Sequence, residues 1–326
     1  MAPAAEAPTS AAAPAPDPGL DPGPVPGPVS VPSHASALAP AKVNLHLHVL
    51  GRRADGLHLL DSLTVFPAVA DVVTARPAPP GVFTIAVSGP FAAGAPSDAR
   101  NLALRAALAL ADAVGRGPGA AEPLGVALIL EKHLPAAGGV GGGSADAAAV
   151  LGLLNRLWSL DLPLPRLSEI GLSLGADVPV CLRAPAPAWM GGVGEDVRPV
   201  AGVPPLAMLL ANPGTPTPTP EVFARLRHRD GAPAAWPAQG CATLDALVSW
   251  LRATSNMLEP PAREVAPPVA DLLAAIAAQP GCRLSRMSGS GATCYGLFET
   301  MPEAEAGAQA LRRAGLWAAA GRSAGA

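Results

Sequence analysis

The chain of 326 residues sets 22 Lys and Arg against 25 Asp and Glu, for a net charge of −3 and a pI near 6.1. That balance offers no basic surface for a nucleic acid, and no apolar run has the length that spans a bilayer. Four widely spaced cysteines (Cys181, Cys241, Cys282, Cys294) make no Cys-x-x-Cys pair, which excludes a thiolate zinc site or a disulfide framework and fits reduced thiols in a cytoplasmic protein.

Residues 1–38 are dominated by Ala, Pro, Gly and Ser and carry no apolar periodicity, which predicts a disordered tail. No Lys or Arg precedes Lys42, so the basic features of a secretory or transit peptide are missing. From Val43 to Leu50 apolar residues alternate with Asn44, His46 and His48, the period of a half-buried strand, and both histidines read as structural. A polar turn, Gly51 to Gly56, leads into extended segments at Leu57–Phe66, Asp71–Thr74 and Val82–Val87. Asn101–Val114 is Ala/Leu-rich and helical, and Val126–Leu130 is a strand that delivers the chain to a glycine-rich stretch.

That stretch, Leu134-Pro135-Ala136-Ala137-Gly138-Gly139-Val140-Gly141-Gly142-Gly143-Ser144, is too rich in glycine for a stable helix or strand interior. Ser144 is placed to cap a helix from Ala145 to Trp158. Pliant backbone ending at a helix N-terminus presents free N–H groups to an anion, although a plain connecting turn has the same composition. No Gly-Lys-Ser/Thr follows the glycines, so the loop is not a Walker A, and Ser144 stands where a dinucleotide fingerprint needs Gly or Ala.

Beyond it, Arg166–Leu174 is a helix closed by Gly175, and Asp177 sits on a connection just before Pro179. Ala188–Val200 is a pair of strands around the turn Gly191–Glu195, and a domain boundary is expected near residue 203. The second half opens with a buried strand, Leu206–Leu210. Thr219 and Pro220 then read as N-cap and first residue of a helix through Arg227, in which Phe223 is either core or a stacking surface. Helices follow at Leu244–Arg252, Val269–Ala277 and Glu303–Ala314, with a Gly/Ser turn and strand at Arg286–Phe298. Strands and helices segregate without regular βαβ alternation, which makes the class α+β.

Three stretches carry a family resemblance: Pro40-Ala41-Lys42-Val43-Asn44-Leu45, the glycine loop, and Met287-Ser288-Gly289-Ser290-Gly291-Ala292. Together they resemble the three motifs of the GHMP small-molecule kinases. Gly51–His58, Leu174–Pro179 and Gly192–Glu195 are most similar to the branch acting on 4-diphosphocytidyl-2-C-methyl-D-erythritol in the non-mevalonate isoprenoid pathway. The resemblance implies two domains, at 39–203 (ribosomal-protein-S5-like, ATP-binding) and 204–326 (ferredoxin-like), with the active site in the cleft between them. It implies γ-phosphoryl transfer from ATP, with Mg²⁺, to the 2-hydroxyl of that small-molecule substrate by a monomer or homodimer.

By the same resemblance Asp177 is the general base and Lys42 the catalytic lysine. Pro135, Gly138, Gly139, Val140, Gly141, Gly142, Gly143 and Ser144 hold the phosphates, with Ser144 also on the metal. Asn101 and Lys132 lie near adenine and ribose. Asn44 faces the substrate, His58 reads the cytosine edge and Phe223 stacks on the base. Two positions depart from the pattern: Leu57 replaces a tyrosine of the cytosine clamp, and Ala145 replaces a second serine. A base–aromatic stack is worth about 1–3 kcal/mol, so Leu57 predicts roughly ten- to a hundredfold weaker cytidine binding unless another group covers that face. The competing readings are a GHMP kinase for a mevalonate- or homoserine-like alcohol, and a nucleotide-binding homologue without turnover. Retention of both Lys42 and Asp177 opposes the latter.

Overall fold

The strands form three sheets that pack against the helices and, for two of them, against each other. The structure is a computed structural model that describes residues 34–136 and 138–326; residues 1–33 of the predicted tail lie outside the described residues. The first half runs β1 (Ala35–Pro40), β2 (Val43–Asn44), β3 (His48–Arg52), β4 (His58–Val65), β5 (Ala70–Pro77) and β6 (Phe83–Ser88). It continues through α1 (Leu102–Ala113), β7 (Val126–Glu131), α2 (Gly142–Leu157), α3 (Leu164–Leu174), α4 (Val178–Cys181), β8 (Ala188–Gly192) and β9 (Asp196–Pro199). The second half runs β10 (Leu206–Asn212), α5 (Thr219–Ala224), α6 (Leu244–Arg252), α7 (Glu259–Val265) and α8 (Pro268–Ala277). It closes with β11 (Leu284–Met287), β12 (Cys294–Phe298), α9 (Met301–Arg313) and β13 (Trp317–Ser323).

The first sheet has the order β1-β5-β7-β6 and packs its inner face on α1 and α2. β1 corrects the predicted tail, because Ala35 to Leu38 are strand, paired antiparallel with β5 from Ala35↔Ala75 onward. The residues it turns inward, Ala35, Ala37 and Ala39, are too small to give a hydropathy signal, while Leu38 faces out. The second sheet has the order β2-β4-β8-β9, with β3 also on β4. Here the single half-buried strand expected over Val43–Leu50 is replaced by two short ones, β2 and β3, with Asn44 and His46 fully buried.

The reason is the third sheet, β11-β12-β10-β13, which is antiparallel throughout and covers the second. All seven residues of β10 are buried. Leu206, Met208 and Leu210 pack toward Val43, Leu45, Leu63 and Val65. Ala207, Leu209 and Ala211 turn the other way, toward α8 and α9. The core is therefore shared across residue 203, where the sequence suggests a boundary. The order, with the first and third strands central, is the ferredoxin-like arrangement. Among the described residues, no helix is long and apolar enough to cross a membrane.

Candidate active site

The glycine loop meets α2 one turn earlier than its sequence suggests. Gly141, at φ +63°, occupies the N-cap position, and Gly142 and Gly143 are helical. Ser144 is thus the third residue of the helix and not its cap, a correction to the sequence reading. A left-handed glycine turns the chain with no help from a side chain. The first intrahelical bond runs from the Ala145 N–H to the Gly141 carbonyl at 2.8 Å. The N–H groups of Gly142, Gly143 and Ser144 are orphan donors at the positive end of a 16-residue helix. These residues border a cleft of about 1210 Å³, and the Ser144 hydroxyl has no partner among the described residues.

Hydrogen bonds tie the three motifs together behind the loop. The Lys42 N–H donates to the Val140 carbonyl at 2.8 Å. Ser288 Oγ donates to the Gly139 carbonyl and accepts from the Asn44 N–H, each at 3.1 Å. Gly139 is left-handed at φ +74°, and a Cβ there would lie 2.7 Å from the carbonyl oxygens of both Ser288 and Gly291. Gly139→Ala is therefore expected to destabilise the fold by about 2 kcal/mol or more and to raise KM for ATP, read by urea unfolding and initial rates.

Lys42 and Asp177 meet at the floor of the cleft, Nζ to Oδ2 at 3.0 Å. Lys42 is buried on the connection between β1 and β2, whereas 38% of the Asp177 side chain is exposed. Asp177 is fixed by the turn into α4, where Pro179 takes an early helical position that needs no N–H donor. One charge is therefore accessible and its partner is held from behind.

Asn44, His58 and Phe223 line the same cleft. Asn44 Nδ2 donates to Ser62 Oγ at 2.7 Å, which leaves its buried Oδ1 without a partner. The His58 and Phe223 rings stack on each other, with centroids 4.4 Å apart and planes 20° apart. Phe223 projects from α5, which starts at Thr219 after Pro218 as N-cap and ends at Ala224, shorter than the helix expected through Arg227. Burial, followed by the charges of Arg229 and Arg52, holds the His58 pKa below its ordinary value. The ring is thus neutral at pH 7, with one donor and one acceptor, and its Nε2 is buried and unpartnered. Leu57 is exposed on the cleft wall beside it.

Four expected nucleotide contacts, Asn101, Lys132, Pro135 and Val140, do not border this cleft. Asn101 is the N-cap of α1: its Oδ1 accepts from the Ala103 N–H at 2.9 Å and its Nδ2 donates to the Pro96 carbonyl at 2.6 Å. Pro135 and Val140 are buried within the loop. The Lys132 side chain is buried between two carboxylates, bonded to Asp71 Oδ2 and, at 2.7 Å, to Asp146 Oδ2. Asp71 Oδ1 also accepts from the N–H groups of His133 and Leu134, at 2.6 and 2.8 Å. This triad staples the end of β7 to the first turns of α2, on either side of the loop. Burial, with the Asp71 carboxylate adding to it and Lys132 opposing it, pushes the Asp146 pKa up to about 7.

Sequence reading missed Asp71 and Asp146. The available signal was an acid on an apolar face: Asp71 shares the buried side of β5 with Val73 and Ala75. Among the described residues, no three His, Cys, Asp or Glu side chains converge on a metal position.

Residues 101–184 match the GHMP kinases N terminal domain model, and residues 242–315 match the GHMP kinases C terminal model. A 4-diphosphocytidyl-2-C-methyl-D-erythritol kinase of Cereibacter sphaeroides (strain ATCC 17029) is 50% identical over 292 residues, 89% of this chain and 99% of that protein. The protein of the same name from Dinoroseobacter shibae is 48% identical over 276 residues, 85% of this chain and 90% of that protein. A crystal structure of a 4-(cytidine 5'-diphospho)-2C-methyl-D-erythritol kinase superposes with a TM-score of 0.71 at 36% identity, covering 90% of this chain and all of that one. A homoserine kinase from Cytophaga hutchinsonii, at 17% identity and a TM-score of 0.63, shares the fold alone. With both halves matched and relatives about half identical over most of its length, the chain belongs to the 4-diphosphocytidyl-2-C-methyl-D-erythritol kinases of the GHMP family.

Proposed function

We propose that this small-molecule kinase transfers the γ-phosphoryl group of ATP to the 2-hydroxyl of 4-diphosphocytidyl-2-C-methyl-D-erythritol, in the cytoplasm, as a monomer or homodimer. The observation that carries the reading is the Lys42–Asp177 pair, 3.0 Å apart, in one cleft with an open helix N-terminus and the His58–Phe223 stack. In this reading the exposed Asp177 carboxylate takes the hydroxyl proton as the oxygen attacks the γ-phosphorus and the bond to the β-phosphate oxygen breaks, releasing ADP. Lys42 offsets negative charge on the attacking oxygen and the transferring group. The N–H groups of Gly142, Gly143 and Ser144 hold the phosphates in line, and positioning of this kind supplies most of the catalysis in phosphoryl transfer.

The donor set suits Mg²⁺, which keeps several waters and takes one or two protein oxygens beside phosphate. The unpartnered Ser144 hydroxyl at the cleft would be its protein ligand, and the ion would neutralise phosphate charge there. Asn44 Oδ1 is free to accept a substrate hydroxyl, and neutral His58 to read the donor–acceptor edge of cytosine.

The test is ADP release by the full chain with Mg-ATP and the cytidine compound, with mevalonate and homoserine in parallel. Turnover on the cytidine compound alone is the expected result. Turnover only on another alcohol would keep the fold and overturn the substrate.

A further inference from the structure

The chain is acidic overall, yet its cleft is not. The charged side chains that line it are Lys42, Asp177, Arg52 and Arg229. Lys42 and Asp177 neutralise each other, so the cleft keeps an uncompensated charge of +2 from the two arginines. Neither arginine has an ion-pair partner among the described residues. The contrast within one segment is informative: Arg225 pairs with Glu221 and Arg227 with Glu264, while Arg229 turns into the cleft and its buried Nε has no hydrogen-bond partner.

The two arginines reach His58 from different elements. Arg52 ends β3 directly opposite His58 in the β3–β4 register, so the two side chains share a face of the sheet. Its Nε donates to the Gly56 carbonyl at 3.0 Å, which fixes the side chain across the turn and leaves its terminal nitrogens unengaged. Arg229 comes from the connection between α5 and α6, and its charge also acts on the His58 ring. Two guanidinium forks without carboxylate partners, bordering one cavity and held by separate backbone segments, suit a ligand with two anionic groups.

We propose that Arg52 and Arg229 form an anion subsite beside His58 that holds the diphosphate of a nucleoside-diphosphate substrate. The proposal rests on the function proposed above, in which a diphosphate joins the base at His58 and Phe223 to the alcohol at Lys42 and Asp177. It also accounts for Leu57. Where a stacking wall is lost, two charge-assisted contacts to the adjoining diphosphate supply affinity by another route.

The test is calorimetric titration of the full chain with cytidine, CDP and inorganic pyrophosphate, with Mg-ADP present to occupy the glycine loop. Wild type is expected to bind CDP more tightly than cytidine. Arg52→Gln and Arg229→Gln should each weaken CDP by roughly tenfold or more and leave cytidine within about threefold, with Arg229→Lys in between. In turnover, KM for the cytidine compound should rise while kcat holds.

A second readout follows from charge on His58. Its protonation limb in kcat/KM lies below pH 6.5 in wild type and should move up toward that value in either Gln variant. Equal affinity of wild type for CDP and cytidine, or equal loss of both in the variants, would overturn the subsite. If the cytidine compound is not turned over at all, pyrophosphate separates the two failures. Pyrophosphate binding abolished in the double Gln variant sustains the anion subsite, and binding unchanged removes it.

Discussion

Asp177→Asn is expected to lower kcat by about 10³-fold while leaving KM for ATP within about threefold. The substitution keeps size and shape while removing both the capacity to take a proton and the negative charge opposite Lys42. Asp177 is the accessible member of the pair with Lys42, and its position is fixed by the entry into α4. The fold should therefore persist, with stability to urea unfolding lowered by about 1 kcal/mol for the lost charge opposite Lys42. Rapid-quench measurement of the first turnover separates the chemical step from product release. A first turnover as fast as wild type would remove Asp177 from the role of base. A loss in KM for ATP instead would assign it to nucleotide binding.

The second large effect is on stability. Lys132→Met is expected to cost about 3–5 kcal/mol, because it leaves Asp71 and Asp146 buried together without their cation. Asp146→Asn should cost less than about 1 kcal/mol, since it leaves a one-to-one pair between Lys132 and Asp71 and removes the carboxyl that burial already disfavours. Both values come from urea unfolding at neutral pH. A Lys132→Met protein within about 1 kcal/mol of wild type would show that the triad does not hold the two flanks of the loop together.

What the sequence reveals about this molecule depends on how local the determinant is. The glycine loop is legible from its composition, whereas Lys42 and Asp177 stand out only through the short motifs that carry the family resemblance. The buried strand at Leu206–Leu210 is also legible, since every residue of it is apolar. Determinants that depend on a distant partner are not. Asp71 and Lys132 lie 61 positions apart, and nothing in either neighbourhood announces the pairing. Lys132 and Asn101 suggest nucleotide contacts by resemblance, yet one side chain is engaged in an ion triad and the other in a helix cap. β1 escapes notice because alanine inside and Ser36 and Leu38 outside give no amphipathic contrast. The start of α2 moves because a left-handed glycine does the work usually assigned to serine at a cap.

The bonds that join Asn44 to Ser288 and Ser288 to Gly139 close loops of 244 and 149 residues. Contacts so remote in sequence carry a large closure entropy and form late, after local helices and hairpins exist. During synthesis the first half of the chain emerges with its glycine loop complete, but with no Ser288 to receive it. The shape of the glycine loop is therefore a property of the finished polypeptide. A nascent chain halted before residue 288 would display the loop without the support that shapes it.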